Sequence, residues 1–251
     1  MTLTHDMTGD GPVAVLLHST VCDRRMWDPQ WRKLPAAGLR LVRCDFRGYG
    51  ETPASDAPYS DADDVLRLLD ALGVEQAALV GSSYGGRTAL DIALRAPHRV
   101  TALALLCPGL PDQDESPELA AFDARETELF EADELEKAAE LNARAWLGPE
   151  ADTATTEAVR AMQLHAFRVQ SAAAEEHDGA ADFDVPSLAG LRTPALILSG
   201  AHDFPDFRAC AIRTAELLPG AHHRELPWAG HLPSLERPAE ITALLADFLT
   251  P

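Results

Sequence analysis

Ser83 stands at the centre of a Gly-x-Ser-x-Gly pentapeptide that runs from Gly81 to Gly85. The apolar residues 77–80 before it predict a strand, and the pattern of residues 87–95 after it predicts a helix. A strand that turns sharply into a helix strains the middle serine, and the flanking glycines avoid collisions in the turn. An ordinary serine in a glycine-rich loop is the alternative. The setting favours an exposed nucleophile at the carboxyl end of a sheet.

A serine nucleophile needs a general base, and the base needs a carboxylate that orients it. Asp203 lies just beyond the predicted strand 195–200, and His231 lies in the loop 227–233. Asp206, three residues after Asp203, is the weaker candidate for the acid because it lies further into its loop. The spacing therefore predicts a Ser83, Asp203, His231 triad that performs acyl transfer.

This chain order resembles that of the α/β-hydrolase superfamily, and the resemblance spans nearly the whole chain. The other matching segments are the strand 13–18, the Asp-x-Arg-Gly-x-Gly turn of residues 45–50, and residues 230–233 with 236–238. Ser19 follows His18, where the family usually has glycine. This His-Ser pair and the segment 26–30 are most similar to the 3-oxoadipate enol-lactonase and small carboxylesterase branch.

The resemblance implies a role for each of these positions. Ser83 attacks, His231 removes its proton, and Asp203 holds the imidazole in the accepting tautomer. The backbone N–H groups of Tyr84 and Thr20 are expected to form the oxyanion hole, where one donor contributes about 3 kcal/mol. Other site candidates are grouped here as substrate-pocket residues: His18, Ser19, Arg24, Arg25, Trp27, Trp146, His165 and Trp228.

Arg24 and Arg25 are candidates for binding a negatively charged substrate group, and His18 is also a candidate for a structural role. Arg24 and Arg25 follow the oxyanion loop, where an arginine can grip a substrate carboxylate bidentately. The alternative is that these arginines are solvated or paired with Asp23 and Asp28. His18 is expected to brace its loop through hydrogen bonds.

Alternating strand and helix patterns predict an α/β fold, in which helices flank a mostly parallel sheet. Strands are predicted at residues 13–18, 40–46, 77–80, 100–106 and 195–200, and helices at 26–37, 60–72, 87–95 and 241–249. The alternation stops between residues 110 and 186, where only helical stretches such as 134–146 and 156–169 occur. We expect a hydrolase core of residues 1–109 and 187–251, with residues 110–186 inserted as a helical cap.

Charge is distributed unevenly along the 251 residues, whose net charge is -19. Residues 110–186 contain 20 acidic and 5 basic side chains, so this segment alone contributes -15. Nucleic acid and anionic membrane surfaces are excluded as partners on this ground, because they require the opposite sign. A solvated helical face is one interpretation of the acidic segment. A field that disfavours anionic substrates is the other.

Cysteine usage and the amino terminus predict a cytoplasmic protein. Four scattered cysteines, Cys22, Cys44, Cys107 and Cys210, fit free thiols, and no signal peptide or membrane span is recognisable. No ligand spacing typical of a metal and no dinucleotide motif occurs, so no cofactor is expected. The expected partner is a small-molecule substrate, and the sequence does not indicate an oligomeric state.

These observations together predict a serine hydrolase of small carboxylic esters or lactones. Serine at the nucleophile position argues against haloalkane dehalogenases and epoxide hydrolases, which resemble each other in having aspartate there. The same triad also allows carbon–carbon hydrolysis of a diketone or a biosynthetic cyclisation, because this fold hosts many chemistries. A non-catalytic receptor that keeps the pocket is the remaining alternative.

Overall fold

A central sheet of seven strands organises residues 2–172 and 179–250, which are those that the computed structural model describes. The strands are β1 (His5–Thr8), β2 (Val13–Leu17), β3 (Arg40–Cys44), β4 (Ala77–Ser82), β5 (Val100–Leu106), β6 (Ala195–Gly200) and β7 (His222–Leu226). Their spatial order is β1-β3-β2-β4-β5-β6-β7, and only β1 pairs antiparallel with its neighbour. The predicted mostly parallel sheet is therefore confirmed.

Helices cover both faces of this sheet. They are α1 (Asp28–Lys33), α2 (Asp61–Ala71), α3 (Tyr84–Arg95), α4 (Pro117–Glu131), α5 (Leu135–Ala145), α6 (Thr153–Ser171), α7 (Pro205–Leu217), α8 (Pro233–Glu236) and α9 (Pro238–Leu249). In β2, Val15 and Leu17 pack into the core that contains α2, α3 and α7, while Ala14 and Leu16 pack into the core that contains α9. Because successive side chains alternate between faces, both sets are fully buried and the strand is apolar throughout.

The single helix predicted over residues 26–37 is wrong in one respect, because the segment divides into three pieces. A 3₁₀ turn at Arg24–Trp27 precedes α1, and a second one at Leu34–Ala37 follows it. Pro29 and Pro35 each begin a new piece. Proline has no N–H to continue a helical hydrogen-bond ladder, so one uninterrupted helix is not available to this segment.

Three helices, α4 to α6, occupy the segment in which a cap was expected, and no strand interrupts its described residues. Leu129 of α4, Ala138 and Ala139 of α5, and Phe167 of α6 form a small buried cluster of their own. The helices expected at 134–146 and 156–169 correspond to α5 and α6, whereas α4 was not anticipated. The division of the chain into core and cap stays a prediction. No helix among the described residues has the length and apolar character needed to cross a membrane.

Candidate active site

The turn between β4 and α3 holds Ser83 in a backbone conformation that few L-residues adopt. Its φ is 53° and its ψ is -113°, which stores a strain of about 1–3 kcal/mol. The Ser83 N–H donates to the Leu106 carbonyl at 2.8 Å and so ties the turn to β5. A Cβ on Gly81 would lie 2.3 Å from the Gly85 carbonyl oxygen, and a Cβ on Gly85 would lie 2.4 Å from the Leu17 carbonyl oxygen. Close backbone approach therefore requires both glycines of the pentapeptide.

A buried hydrogen bond joins His231 to Asp203. The Nδ1 atom of His231 lies 2.7 Å from Oδ2 of Asp203, and the two residues are 2% and 7% exposed. The other carboxylate oxygen of Asp203 accepts the Phe204 N–H at 2.8 Å, which fixes the carboxylate plane. Because an ionised carboxylate only accepts, Nδ1 carries the proton and Nε2 has the lone pair that a general base needs.

Asp206 has a different set of partners. Its carboxylate accepts hydrogen bonds from the N–H and the hydroxyl of Ser116, each at 2.6 Å, and so caps the start of α4. Burial raises its pKa, but these hydrogen bonds outweigh that effect and leave the pKa lowered. The carboxylate that meets His231 is Asp203, the stronger candidate of the two.

The loop that presents His231 is anchored by one half-buried carboxylate, that of Glu236. This carboxylate accepts the Gly148 N–H at 3.0 Å and the Gly230 N–H at 3.0 Å, so it joins the end of the α5 segment to the histidine loop. The His231 N–H donates to the Trp146 carbonyl at 2.8 Å, which adds a second link between the same segments. Burial raises the pKa of Glu236, although the backbone N–H donors oppose the rise.

His18 braces the loop after β2 and does not line a cavity near Ser83. It is fully buried, and its Nε2 accepts the Phe46 N–H at 3.0 Å while Nδ1 lies 2.8 Å from the Ser19 carbonyl oxygen. With Nε2 accepting, Nδ1 donates, so the ring is neutral. Burial also lowers the pKa of the His18 ring, which favours the same neutral form. As a substrate contact His18 was predicted wrongly, because both ring nitrogens are occupied by backbone groups.

Two cavities meet at Ser83. The inner cavity has a volume of about 310 Å³ and lies beneath α4, α5 and α6, where Ser83, His231, Ser19 and Trp146 are among its lining residues. The outer cavity, of about 340 Å³, is lined by Tyr84, Arg87 and Glu115, among others. The residues shared by both cavities are Thr20, Ser83, Leu119 and Phe207. A substrate carbonyl at Ser83 can therefore extend one arm into each cavity.

The proposed oxyanion donors lie at this junction. Thr20 lines both cavities, and Tyr84 begins α3 directly after Ser83. The Tyr84 hydroxyl donates to the carboxylate of Asp61, which links the start of α3 to the start of α2. The role of the two backbone N–H groups stays a prediction.

Arg24 and Arg25 line a different cavity, of about 500 Å³, so their predicted contact with substrate at Ser83 is wrong. Arg25 donates to the carboxylate of Asp23 through Nε at 2.8 Å and Nη2 at 2.6 Å. Arg24 donates to three carboxylates, those of Asp6, Asp45 and Glu51. Pairing of Arg25 with Asp23 agrees with the alternative that the sequence left open. The partners of Arg24 are different from those expected, and Asp28 pairs instead with Arg32 and Arg43.

Three further pocket candidates also lie elsewhere. Trp27 is fully buried in the core beside α1, and Trp228 packs beneath the Arg237 guanidinium at 4.6 Å. His165 is exposed on α6, where Nε2 lies 2.8 Å from the Gly50 carbonyl oxygen and so ties α6 to the turn after β3. Nearness in sequence to a catalytic loop does not determine which way a side chain faces, and large aromatic groups enter the core by preference.

Cys107 was predicted only as a free thiol, but it lies directly behind the Asp203–His231 pair. It follows β5 with a φ of 47°, is fully buried, and its thiol donates to the Gly230 carbonyl oxygen at 3.7 Å. Ligand atoms of Cys107, Asp203 and His231 all lie within 4.8 Å of one another. Burial raises the pKa of the thiol well above its usual range, as does the Asp203 charge, so it stays protonated. The signal in the sequence that could have identified Cys107 is its position directly after the predicted strand 100–106.

Polar side chains of α4, α5 and α6 line the inner cavity and were missed from the sequence. They are Asp123 and Glu126 of α4, Asn142 of α5, and Gln163 and Gln170 of α6. Burial raises the pKa of Glu126. Burial also raises the pKa of Asp123, to about 7, assisted by its hydrogen bond to Glu115. Asp123 and Glu126 are three residues apart and share a helix face, but the sequence did not reveal which face of α4 meets the core.

Comparisons with known proteins agree with this architecture. A model of the alpha/beta hydrolase family matches residues 14–244. The AB hydrolase superfamily protein YisY of Bacillus subtilis is 30% identical, over 99% of this chain and 95% of that protein. The enol-lactonase of Burkholderia xenovorans is similar in structure, with a TM-score of 0.82, 28% identity, and coverage of 99% of this chain and 96% of the other. A thermophilic esterase of Thermogutta terrifontis has a TM-score of 0.80 at 26% identity, covering 98% and 92% of the two chains.

Proposed function

The chain belongs to the alpha/beta hydrolase family, and we propose that it hydrolyses small carboxylic esters or lactones through an acyl-enzyme on Ser83. The observation that carries this proposal is the strained Ser83 in a cavity shared with His231, whose Nδ1 is hydrogen-bonded to Asp203. Similarity to an enol-lactonase and an esterase supports the choice of bond. The inner cavity of about 310 Å³ restricts the substrate to a small molecule.

The groups that the proposed reaction uses line one or both of the two cavities that meet at Ser83. The Ser83 oxygen attacks the carbonyl carbon while Nε2 of His231 takes the hydroxyl proton, and the carbonyl electron pair moves onto oxygen. The Thr20 and Tyr84 N–H groups donate to this oxyanion. Collapse of the intermediate expels the alkoxide, which takes the proton from His231 and leaves Ser83 acylated.

Water then completes the cycle by the same chemistry. His231 removes a proton from a water molecule, the hydroxide adds to the acyl carbon, and collapse returns the proton to the Ser83 oxygen. Asp203 stabilises the imidazolium in both halves of the reaction. A lactone gives the same acyl-enzyme, but its alcohol stays attached to the acyl chain.

Proton release on a pH-stat against linear esters, lactones and enol-lactones tests this proposal without a chromogenic leaving group. We expect Ser83→Ala to lower kcat by at least about a thousandfold, because it removes the attacking oxygen. Ser82→Ala is the matched control, since it makes the same change one residue earlier, at a buried hydroxyl without a hydrogen-bond partner among the described residues. Equal activity of Ser83→Ala and Ser82→Ala would contradict the proposal, and turnover of diketones alone would replace it with carbon–carbon hydrolysis.

A further inference from the structure

The wall that the cap helices contribute to the inner cavity is built from hydrogen-bond acceptors. Asp123 and Glu126 face the cavity from one side of α4. Asn142 has already used its amide nitrogen, which donates to Glu126 and, at 3.0 Å, to the Ala138 carbonyl. The Trp146 indole N–H is also used, since it donates to the Asn142 side-chain oxygen at 2.8 Å. The Asn142 and Trp146 donors are therefore used within the wall itself, and carboxylate oxygens of Asp123 and Glu126 remain for a ligand.

No cation neutralises these carboxylates within the part of the chain that the structure describes. None of the residues that line the inner cavity is Lys or Arg, and neither Asp123 nor Glu126 forms an ion pair. The nearby arginines of the cap are paired elsewhere: Arg125 with Glu128, Arg160 with Glu157, and Arg168 with Glu136. The side chain to which Asp123 is hydrogen-bonded belongs to another acid, Glu115, which lines the outer cavity. The inner cavity beside Ser83 is therefore lined by two acidic side chains and by no Lys or Arg among the described residues, although a guanidinium, that of Arg87, lines the outer cavity.

Gln163 provides an independent sign that a ligand belongs in this cavity. Its side chain reaches the cavity wall from α6 and is only 5% exposed. Its Oε1 atom is buried and has no hydrogen-bond partner among the described residues. A buried acceptor without a partner is costly, and a donor on a bound ligand removes that cost.

We propose that the inner cavity binds a protonated amine of the substrate, held by Glu126, Asp123 and the Gln163 side-chain oxygen while the ester carbonyl lies at Ser83. A primary ammonium group has three N–H donors and one positive charge, which match an acceptor wall of this composition. Burial raises the pKa of Asp123 and of Glu126, and a bound ammonium group would lower both pKa values again by favouring the ionised forms. This inference rests on the proposed ester or lactone hydrolysis and specifies its substrate class.

Three esters of equal length separate the effect of charge from that of size. Methyl δ-aminopentanoate carries an ammonium group, methyl hexanoate carries a methyl group in its place, and monomethyl adipate carries a carboxylate. We expect kcat/KM of the wild type for the ammonium ester to exceed that for methyl hexanoate by about tenfold, and monomethyl adipate to be the poorest substrate. A preference for methyl hexanoate or monomethyl adipate would overturn the proposal.

Substitutions in the wall assign the preference to its carboxylates. Glu126→Gln and Asp123→Asn should each lower the ratio of kcat/KM for the ammonium ester to that for methyl hexanoate, by about fivefold or more. Glu131→Gln is the matched control, because Glu131 is an exposed acid on the same helix and does not line the inner cavity. A ratio that stays unchanged in both wall variants would overturn the assignment to this wall.

A binding measurement separates this inference from the proposed hydrolysis. In Ser83→Ala, calorimetry should show the ammonium ester binding about tenfold more tightly than methyl hexanoate. If the wild type hydrolyses none of the esters but this difference persists, the proposed function fails and the amine site stands. If the wild type hydrolyses the esters and the two ligands bind Ser83→Ala equally, the amine site fails and the proposed function stands.

Discussion

The carboxylate of Glu236 connects two backbone N–H groups from segments that are distant in sequence, those of Gly148 and Gly230. A side chain does not fit at position 230, since a Cβ there would lie 2.4 Å from the Gly148 nitrogen. His231 follows immediately, so its position depends on this contact. Glu236 is thus a positioning residue for the candidate base and acts through the loop that carries it.

We predict that Glu236→Gln lowers kcat for a simple ester by about tenfold while KM changes little, because a displaced imidazole affects the reaction more than substrate binding. In this variant an amide NH₂ replaces one of the two acceptor oxygens beside the Gly230 N–H, and the resulting donor–donor contact lowers the free energy of unfolding by about 1–3 kcal/mol. Steady-state kinetics and thermal unfolding measure the two effects.

Glu225→Gln is the control for this substitution, because Glu225 is exposed on β7 and pairs with Arg208 at the surface. Glu225→Gln should match the wild type in both measurements. A Glu236→Gln variant with wild-type kcat, or one in which only KM changes, would show that the contact does not position His231.

The sequence predicted individual residues well where chain order and backbone geometry specify them. Ser83, Asp203 and His231 were placed by motif and strand ends, and the structure brings them to one edge of the sheet. Pocket residues were predicted poorly. Arg24 was chosen for its nearness to the oxyanion loop, but its direction depends on Asp45, which lies on a different strand end. Contacts between segments distant in sequence are not visible in a local pattern.

At the scale of elements, apolar patterning predicted the interior of the sheet but not its edges. The predicted bounds of β5 and β6 agree with the structure, because both strands are buried on two faces and read as continuous apolar runs. In contrast, β1 and β7 are polar edge strands; four of the five residues of β7 are exposed. Backbone pairing with β3 and β6 holds them in place, and such pairing leaves little trace in composition.

The first half of α4 places Asp123 beside Glu115 at the mouth of the inner cavity, and this contact has a consequence for stability. Burial, together with the Glu115 carboxyl, raises the pKa of Asp123 from 3.8 in the unfolded chain to about 7. A carboxyl whose pKa is raised on folding favours the folded state below its unfolded pKa. That contribution is lost as pH rises through its folded pKa. The relevant window therefore lies between about pH 4 and pH 7.

We predict that the melting temperature of the wild type falls between about pH 5 and pH 8 by more than that of Asp123→Asn, which has no proton to lose there. The difference should be a few degrees, equivalent to about 1 kcal/mol or less, because solvent at the exposed mouth screens the repulsion. Thermal unfolding at both pH values, with Glu131→Gln as the exposed control on the same helix, measures it. If the melting temperatures of the wild type and Asp123→Asn depend equally on pH, the Asp123–Glu115 contact makes no pH-dependent contribution to the free energy of unfolding.

At the scale of the whole molecule, the charge of -15 in residues 110–186 lies in the segment that covers the inner cavity. The sequence left two interpretations open for this charge, a solvated helical face or a field acting on substrates. Pairs such as Arg160 with Glu157 and Lys137 with Glu134 belong to the solvated face. Asp123 and Glu126 form no ion pair with a described residue, and they line the inner cavity, where low-dielectric walls focus a field. If the proposed amine site is present, each interpretation therefore applies to a different part of this segment.

Salt screens the long-range part of the electric field of the acidic segment. The Debye length of the solution falls from about 30 Å at 0.01 M salt to about 3 Å at 1 M salt. We predict that raising sodium chloride from about 0.02 M to about 0.5 M lowers kcat/KM for methyl δ-aminopentanoate several-fold and raises that for monomethyl adipate. Methyl hexanoate is the internal control, because a neutral ester responds only to general effects of salt on the protein. The pH-stat assay measures all three at constant pH. Three parallel salt profiles would mean that the acidic segment acts only on solvation, whereas opposite slopes for the two charged esters would show that it selects substrates by charge.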